Sequence, residues 1–266
     1  MIYLRCFWGV VWRELLRFVQ QRGRFVAALV RPLVWLIVFA AGFRMALGVA
    51  ISPPYQTYIL YEVYIVPGLI GMVQLFNGMQ SSLSMVYDRE MGSMRVLLVS
   101  PLPRGFLLVA KLVAGTLVSI VQVYAFLLIA LLYGIRLPTD GLLLILPALF
   151  LTGLMVGSLG LLLSSFIKQL ENFAGVMNFV IFPMFFLSSA LYPIWRLREA
   201  SPVIARIAEL NPFTHAVEMI RFALYSQLHW QATAIVVATT AVLLALAILG
   251  YNPARGMMAR KGAAAD

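Results

Sequence analysis

The chain has 266 residues, of which 62% are hydrophobic and 11% charged, against roughly 45–50% and about 25% in soluble domains. That balance excludes a water-soluble globular protein. The formal net charge of +10 does not point to nucleic acid, because the basic residues are spread over loops between apolar stretches rather than gathered on one face, and lone Cys6 excludes an internal disulfide.

Residues 1–24 place Leu4, Phe7, Trp8, Val11, Leu15 and Phe18 at near-helical spacing against Arg5, Arg13 and Arg17. This predicts an amphipathic helix on the cytoplasmic leaflet, either a simple interfacial anchor or a connecting helix that also touches a cytoplasmic partner. Its arginines interrupt any apolar core and no small-residue cleavage site follows, so the first span is expected to be an uncleaved anchor. That span covers 25–47, apolar except for Arg31 and Arg44 near its ends, where long side chains can reach the headgroups. Pro32 suits its first turn.

Charge-free windows follow at 63–87, 112–135, 141–167, 172–195 and 230–254, each longer than the roughly 20 residues that cross a hydrocarbon core. The expectation is an all-α polytopic membrane protein with six transmembrane helices in a domain of residues 25–254. Most Lys and Arg fall on alternate connections (Arg89, Arg95, Arg104 and Lys111 on one, Lys168 on the next) and in the terminal segments. The positive-inside rule therefore puts both termini, including a tail of 255–266, in the cytoplasm of a multi-pass protein of the plasma membrane, the inner membrane of a bacterium.

The second span carries Gln74, Asn77, Ser81 and Ser84 at i, i+3, i+7 and i+10, one helical stripe facing away from lipid. Such a stripe either lines a translocation path or joins helices by hydrogen bonds. In the fourth span Gly153, Gly157, Gly160 and Ser164 form a small-residue stripe suited to close helix packing.

The inner connection 87–106 is too apolar for a solvated linker. Asp88 and Glu90 oppose the helix dipole where the second span ends, unless Arg89, Arg95 or a partner compensates. A short helix over 92–99, stopped by Pro101 and Pro103, would present Val96, Leu97 and Val99 to a surface. Either these side chains dip into lipid or the segment is a coupling helix that docks on a cytoplasmic protein.

The outer segment 193–228 reads as two short helices, 200–210 and 211–227, with Asn211 as N-cap and Pro212 at the first helical position of the second. His215, Glu218 and Arg221 follow at i+3 spacing, so Glu218 can pair with both neighbours. Val217, Ile220 and Leu224 form the opposing apolar edge. The pair is expected at or within the outer leaflet, as a gate at the outer mouth or as a structural cap. His215 and His229, with no Cys nearby and no H-E-x-x-H pattern, do not suggest a metal site.

At these two segments the chain resembles the ABC-2 type permease family. The likeness rests on Asp88, Arg89, Glu90 and Gly92, followed by Leu97, Leu98, Ser100, Pro101, Leu102, Pro103 and Arg104, and later Lys111. It rests equally on Leu191, Tyr192, Pro193 and Ile194, followed by Asn211, Pro212, Thr214, His215, Val217, Glu218 and Arg221. The resemblance spans essentially the whole chain. It implies the membrane subunit of an ATP-driven exporter of an amphipathic, lipidic or glycan-type substrate, paired with a second permease copy, identical or similar, and two copies of a separate ATPase subunit. It further implies that Glu90, Gly92, Arg95 and Pro101 belong to the ATPase contact, and that Asn211, Pro212, His215, Glu218 and Arg221 form a re-entrant outer element. This chain has no G-x-x-x-x-G-K-[ST] loop to cradle a nucleotide. It is therefore expected to be no enzyme and to carry no cofactor, with ATP and Mg on the partner subunit.

Two other classes fit less well. An ion-coupled secondary transporter would normally hold ionisable groups at mid-membrane, yet the interiors of spans two to six carry no charge. A membrane-embedded enzyme would need a base beside a nucleophile at that depth, and His215 with Glu218 near the outer leaflet is the only such pair.

Overall fold

The computed structural model describes residues 2–20, 22–43, 53–55, 59–90, 103–135, 137–138, 140–167 and 169–250. Every regular element among them is an α-helix: α1 Ile2–Gln20, α2 Arg22–Phe43, α3 Tyr61–Glu90, α4 Arg104–Leu132, α5 Gly141–Phe166, α6 Leu170–Phe186, α7 Ile194–Ala200, α8 Pro202–Leu210, α9 Pro212–Leu224 and α10 Trp230–Gly250. Three of them are by themselves long and apolar enough to cross a membrane: α4 from Gly105, α5 and α10. The other windows expected as spans coincide with α2, α3 and α6. Here α3 carries the polar stripe and α6 has only 17 residues.

The buried part of the bundle is centred on α3, which packs against α2, α4, α5, α6 and α9, while α10 lies along the far side of α5. The N-terminal half of α3 is almost wholly enclosed: Ile65, Val66, Leu69, Ile70 and Leu75 are fully buried against Ile145, Leu149, Ile181 and Phe213. Small residues let α3 and α5 approach closely. A Cβ on Gly78 would stand 2.9 Å from the Gly157 backbone nitrogen, and one on Gly160 would meet Ser82 Oγ at 2.5 Å. The expected small-residue stripe therefore serves packing, with Gly153 and Gly157 turned to Thr116 and Leu112 of α4.

The first helix behaves as its composition requires. It buries Val11, sets Tyr3 and Phe7 against Phe106 at the start of α4 at 5.4 and 6.4 Å, and leaves Leu4, Trp8, Trp12 and Leu16 exposed. An apolar face left open in this way suits a leaflet surface.

Three expectations change. Because α2 begins at Arg22, Pro32 lies in the helix interior rather than in the first turn, and Arg31 lies nine residues in rather than near the end. The fifth apolar window is not one helix: α6 stops at Phe186, where the Ser188 hydroxyl donates to the Phe185 carbonyl at 2.6 Å and accepts from the Ala190 amide at 3.2 Å. The segment 193–228 holds three helices instead of two, since Ser201 is extended ahead of Pro202 and starts α8 as its N-cap.

Candidate functional site at the turn after α6

Residues 187–193 join α6 to α7 without helical structure, yet Ser188, Ser189, Ala190 and Leu191 are fully buried. Irregular backbone in an apolar interior must find other hydrogen-bond partners, because its carbonyls have no helical donors and no bulk water. Side chains from α3 and α9 supply them. Tyr61 donates to the Leu191 carbonyl at 2.8 Å, and Tyr64 to that of Ser189 at 3.1 Å. Asn211 donates to the carbonyls of Met184 and Leu187 at 2.8 and 2.7 Å, while its own Oδ1 accepts from the Phe213 amide at 3.0 Å. One side chain thus caps α9, as expected with Pro212 at the first position, and closes the end of α6. The backbone comes close enough that a Cβ on Gly68 would fall 2.3 Å from the Ala190 carbonyl oxygen.

Arg221 lies at the centre of this arrangement. Although it belongs to an amphipathic helix, its side chain is only 3% exposed. It pairs with Glu218, donates from Nη2 to the Ser189 carbonyl at 2.9 Å, and sets its guanidinium 4.2 Å from the centre of the Tyr64 ring. Burial works against that charge, but the adjacent Glu218 carboxylate outweighs it and holds the guanidinium above its ordinary range. Tyr55 and Tyr225 complete the surroundings, their rings edge to face at 5.0 Å. Burial pushes both phenols up, with the Arg221 charge opposing it, so both stay protonated at neutral pH. Among the described residues Arg221 Nε and the Tyr55 hydroxyl have no hydrogen-bond partner.

Only half of the predicted pairing of Glu218 forms. His215 turns the other way and its Nε2 meets the Glu209 carbonyl at 3.0 Å, so Glu218 serves Arg221 alone. Val217, Ile220 and Leu224 are fully buried, as an apolar edge should be. A second ion pair, Arg198 with Glu209, ties α7 to α8 at the surface. His229 accepts from the Ala232 amide at 3.1 Å at the start of α10. Among the described residues no group of three or more His, Cys, Asp or Glu is placed to hold a metal ion.

The polar stripe of α3 lies deeper. Gln74 is fully buried and donates to the Leu149 carbonyl of α5 at 2.7 Å; Asn77 donates to Gln122 of α4. Ser84 bonds back to the Ser81 carbonyl at 2.7 Å, and Ser81 faces Gly115 of α4. Gln122 escaped the reading of the sequence. Its signal was available as a lone amide inside an otherwise apolar span, where a polar group needs a partner. Tyr55, Tyr61, Tyr64 and Ser189 were missed as well, because nothing local distinguishes a tyrosine that supports a buried turn from one at the membrane interface.

At the C-terminal end of α3, Glu90 is the last helical residue, while Gly92, Arg95 and Pro101 and the expected helix 92–99 lie outside the described residues. Lys111 of α4 is buried and donates to Met85 Sδ at 3.2 Å.

An all-helical bundle whose long apolar helices suit a bilayer, with a buried unwound turn satisfied by side chains at one end, is the architecture of a polytopic membrane protein. The profile of the ABC-2 type transporter family matches residues 5–225, and the chain belongs to that family. It is 29% identical over 221 residues to the transport permease ycf38 of Cyanophora paradoxa, covering 80% of this chain and 72% of the relative. Nodulation protein J of Rhizobium leguminosarum bv. viciae is 25% identical, covering 83% of each chain. The multidrug ABC transporter permease YbhR of Escherichia coli K12 is 30% identical over 63% of this chain and 45% of its own. The chain is therefore the membrane subunit of an ABC transporter, a transport subunit rather than an enzyme, in a family that works with an ABC ATPase.

Proposed function

We propose that this chain is the six-span permease of an exporter that moves amphipathic, lipidic or glycan-type molecules outward across the plasma membrane, the inner membrane in a bacterium. The family match over residues 5–225 carries this reading. In it α2, α3, α4, α5, α6 and α10 cross the bilayer within a domain of 25–254, both termini are cytoplasmic, and 1–24 lies on the inner leaflet as α1. Two copies of the permease, or this chain with a similar one, meet two copies of a separate ATPase subunit that holds ATP and Mg. The connection 87–106, with Glu90, Gly92, Arg95 and Pro101, receives the ATPase. The outer segment 193–228, with Asn211, Pro212, His215, Glu218 and Arg221, closes the outer mouth.

The interhelical hydrogen bonds of Gln74 and Asn77 favour a packing role for the α3 stripe over a path-lining one. The names of the relatives support transport and, for YbhR, multidrug handling. The test is uptake by inside-out vesicles that contain the permease and its ATPase, with a fluorescent amphiphile as probe. Accumulation that needs ATP hydrolysis and survives collapse of ion gradients is expected. Uptake that follows an imposed ion gradient without ATP would overturn the reading.

A further inference from the structure

A cavity of about 260 Å³ opens on the flank of the bundle where α5, α9 and the start of α10 meet. Small residues make the room: Ala148 of α5 and Met219 of α9 are buried and form its floor, beside Ala223 of α9. One end of the cavity is fixed by the packing of α9 on Gly141, the first residue of α5, where a Cβ would fall 1.8 Å from the Leu224 carbonyl oxygen. Ser226 and Gln227, just past the end of α9, therefore lie at the level where α5 begins. At the other end Leu151 stands ten residues beyond Gly141, about 15 Å along α5 at roughly 1.5 Å per residue.

Polarity follows the same axis. Thr233, in the first turn of α10, donates its hydroxyl to the His229 carbonyl at 3.0 Å. Among the described residues that leaves Ser226 and Gln227, both exposed, as the polar side chains of the lining without a hydrogen bond, and none of the lining residues is charged. The α5 wall is apolar throughout. The rim faces lipid: Leu143 and Leu144 are exposed on α5, and Trp230, exposed at the start of α10, suits the level of the headgroup interface. Water does not settle in such a space, because it needs about two to four polar partners. Left empty, the walls would forfeit their packing contacts. An apolar cavity of about 150 Å³ accepts benzene with its six carbons, so by proportion this one takes about ten. Spread over the length from Gln227 to Leu151, that volume has the width of a single alkyl chain.

We propose that this cavity binds one acyl chain of a membrane phospholipid, with the ester end at Ser226 and Gln227 and the chain against Ala148, Met219 and Ala223. The lipid is a resident part of the fold, not cargo. Met219 and Ala223 belong to the helix that carries Glu218 and Arg221, so a chain lodged there supports the element that holds the turn 187–193.

The test uses the purified permease in a detergent whose rigid steroid body does not fit so narrow a cavity. Lysophosphatidylcholine, which has one chain, is added at varied chain length, and affinity is taken from the saturable rise in Tm. Affinity should grow with chain length up to about ten carbons and level off beyond. Dioleoylphosphatidylcholine should saturate the same rise, with no additive effect of the two lipids. Ala223→Leu occupies the floor, so it should weaken binding by about tenfold or more, while the lipid-free variant is at least as stable as wild type. Affinity that keeps growing past that length, or an Ala223→Leu protein that binds as wild type does, would assign the rise to annular lipid and overturn the proposal. A site that takes the single-chain probe but not the diacyl lipid would overturn it as well. So would release of bound phosphatidylcholine on addition of the ATPase subunit and ATP, which would make the lipid cargo. If Ala223→Leu fails to fold, the chain-length series on the unaltered chain decides alone. Binding is read on the permease without nucleotide, so it stands or falls separately from the direction and energy source of transport.

Discussion

Glu218→Gln is the substitution that probes the site around the turn after α6 most directly. It keeps the shape of the side chain and removes only the charge that Arg221 meets. Arg221 is 3% exposed and Glu218 keeps 22%. Deleting one partner of a buried pair costs about 3–5 kcal/mol; the partial exposure of Glu218 reduces this to about 2–3 kcal/mol. Arg221 retains the Ser189 carbonyl and the Tyr64 face, so the turn should hold at reduced stability. At roughly 2–4 °C per kcal/mol for a chain of this size, the expected fall in Tm is about 5–10 °C. Tryptophan fluorescence during heating in detergent can follow it, since the chain has five Trp. The double variant with Arg221→Met should regain about 1 kcal/mol or more relative to the sum of the single changes, because an apolar replacement leaves no stranded charge. A Tm for Glu218→Gln within about 1 °C of wild type, or strictly additive single effects, would refute the claim that the pair anchors the turn after α6.

Other outcomes follow from the same structure. Gly78→Ala places a methyl 2.9 Å from the Gly157 backbone nitrogen and should cost about 1–3 kcal/mol, while Gly9→Ala, inside α1 with open space around it, should stabilise by about 0.5–1 kcal/mol through helix propensity alone; thermal scans of the two separate packing from propensity. Asn77→Leu strands the Gln122 amide and should cost about 0.6–1.7 kcal/mol, with much of it restored when Gln122→Leu is added; unfolding titrations of the three variants check this. Glu90→Ala and Pro101→Ala should weaken ATPase binding and substrate-stimulated hydrolysis while membrane insertion stays normal. Unchanged ATPase binding in both would remove the docking role from 87–106.

What could be read from the sequence and what could not divide along the range of the forces involved. Hydropathy windows sum over neighbours in the chain, so the positions of α4, α5 and α10 were legible. The small-residue stripe of α5 was legible too, because helix approach depends on side-chain size at fixed spacing. The start of α9 needed only two adjacent residues, Asn211 and Pro212. The end of α6 was less accessible: a charge-free window cannot tell a helix from a buried turn when both are apolar. That turn exists because donors over a hundred residues away reach its carbonyls, as Tyr61 does for Leu191.

The sequence by itself determined that this is an all-helical membrane protein, its family, and the chemistry available at Glu218, Arg221 and the α3 stripe. Only the tertiary structure decided how that chemistry is used. It took Arg221 off the surface and placed it against Tyr64, gave His215 to a backbone carbonyl, and paired Asn77 with Gln122. It also set Arg31 over Phe76 at mid-bundle. The reason is physical: residue type and spacing fix which groups need partners, but in an apolar interior the partner is whichever group the packing of distant helices brings within hydrogen-bond reach.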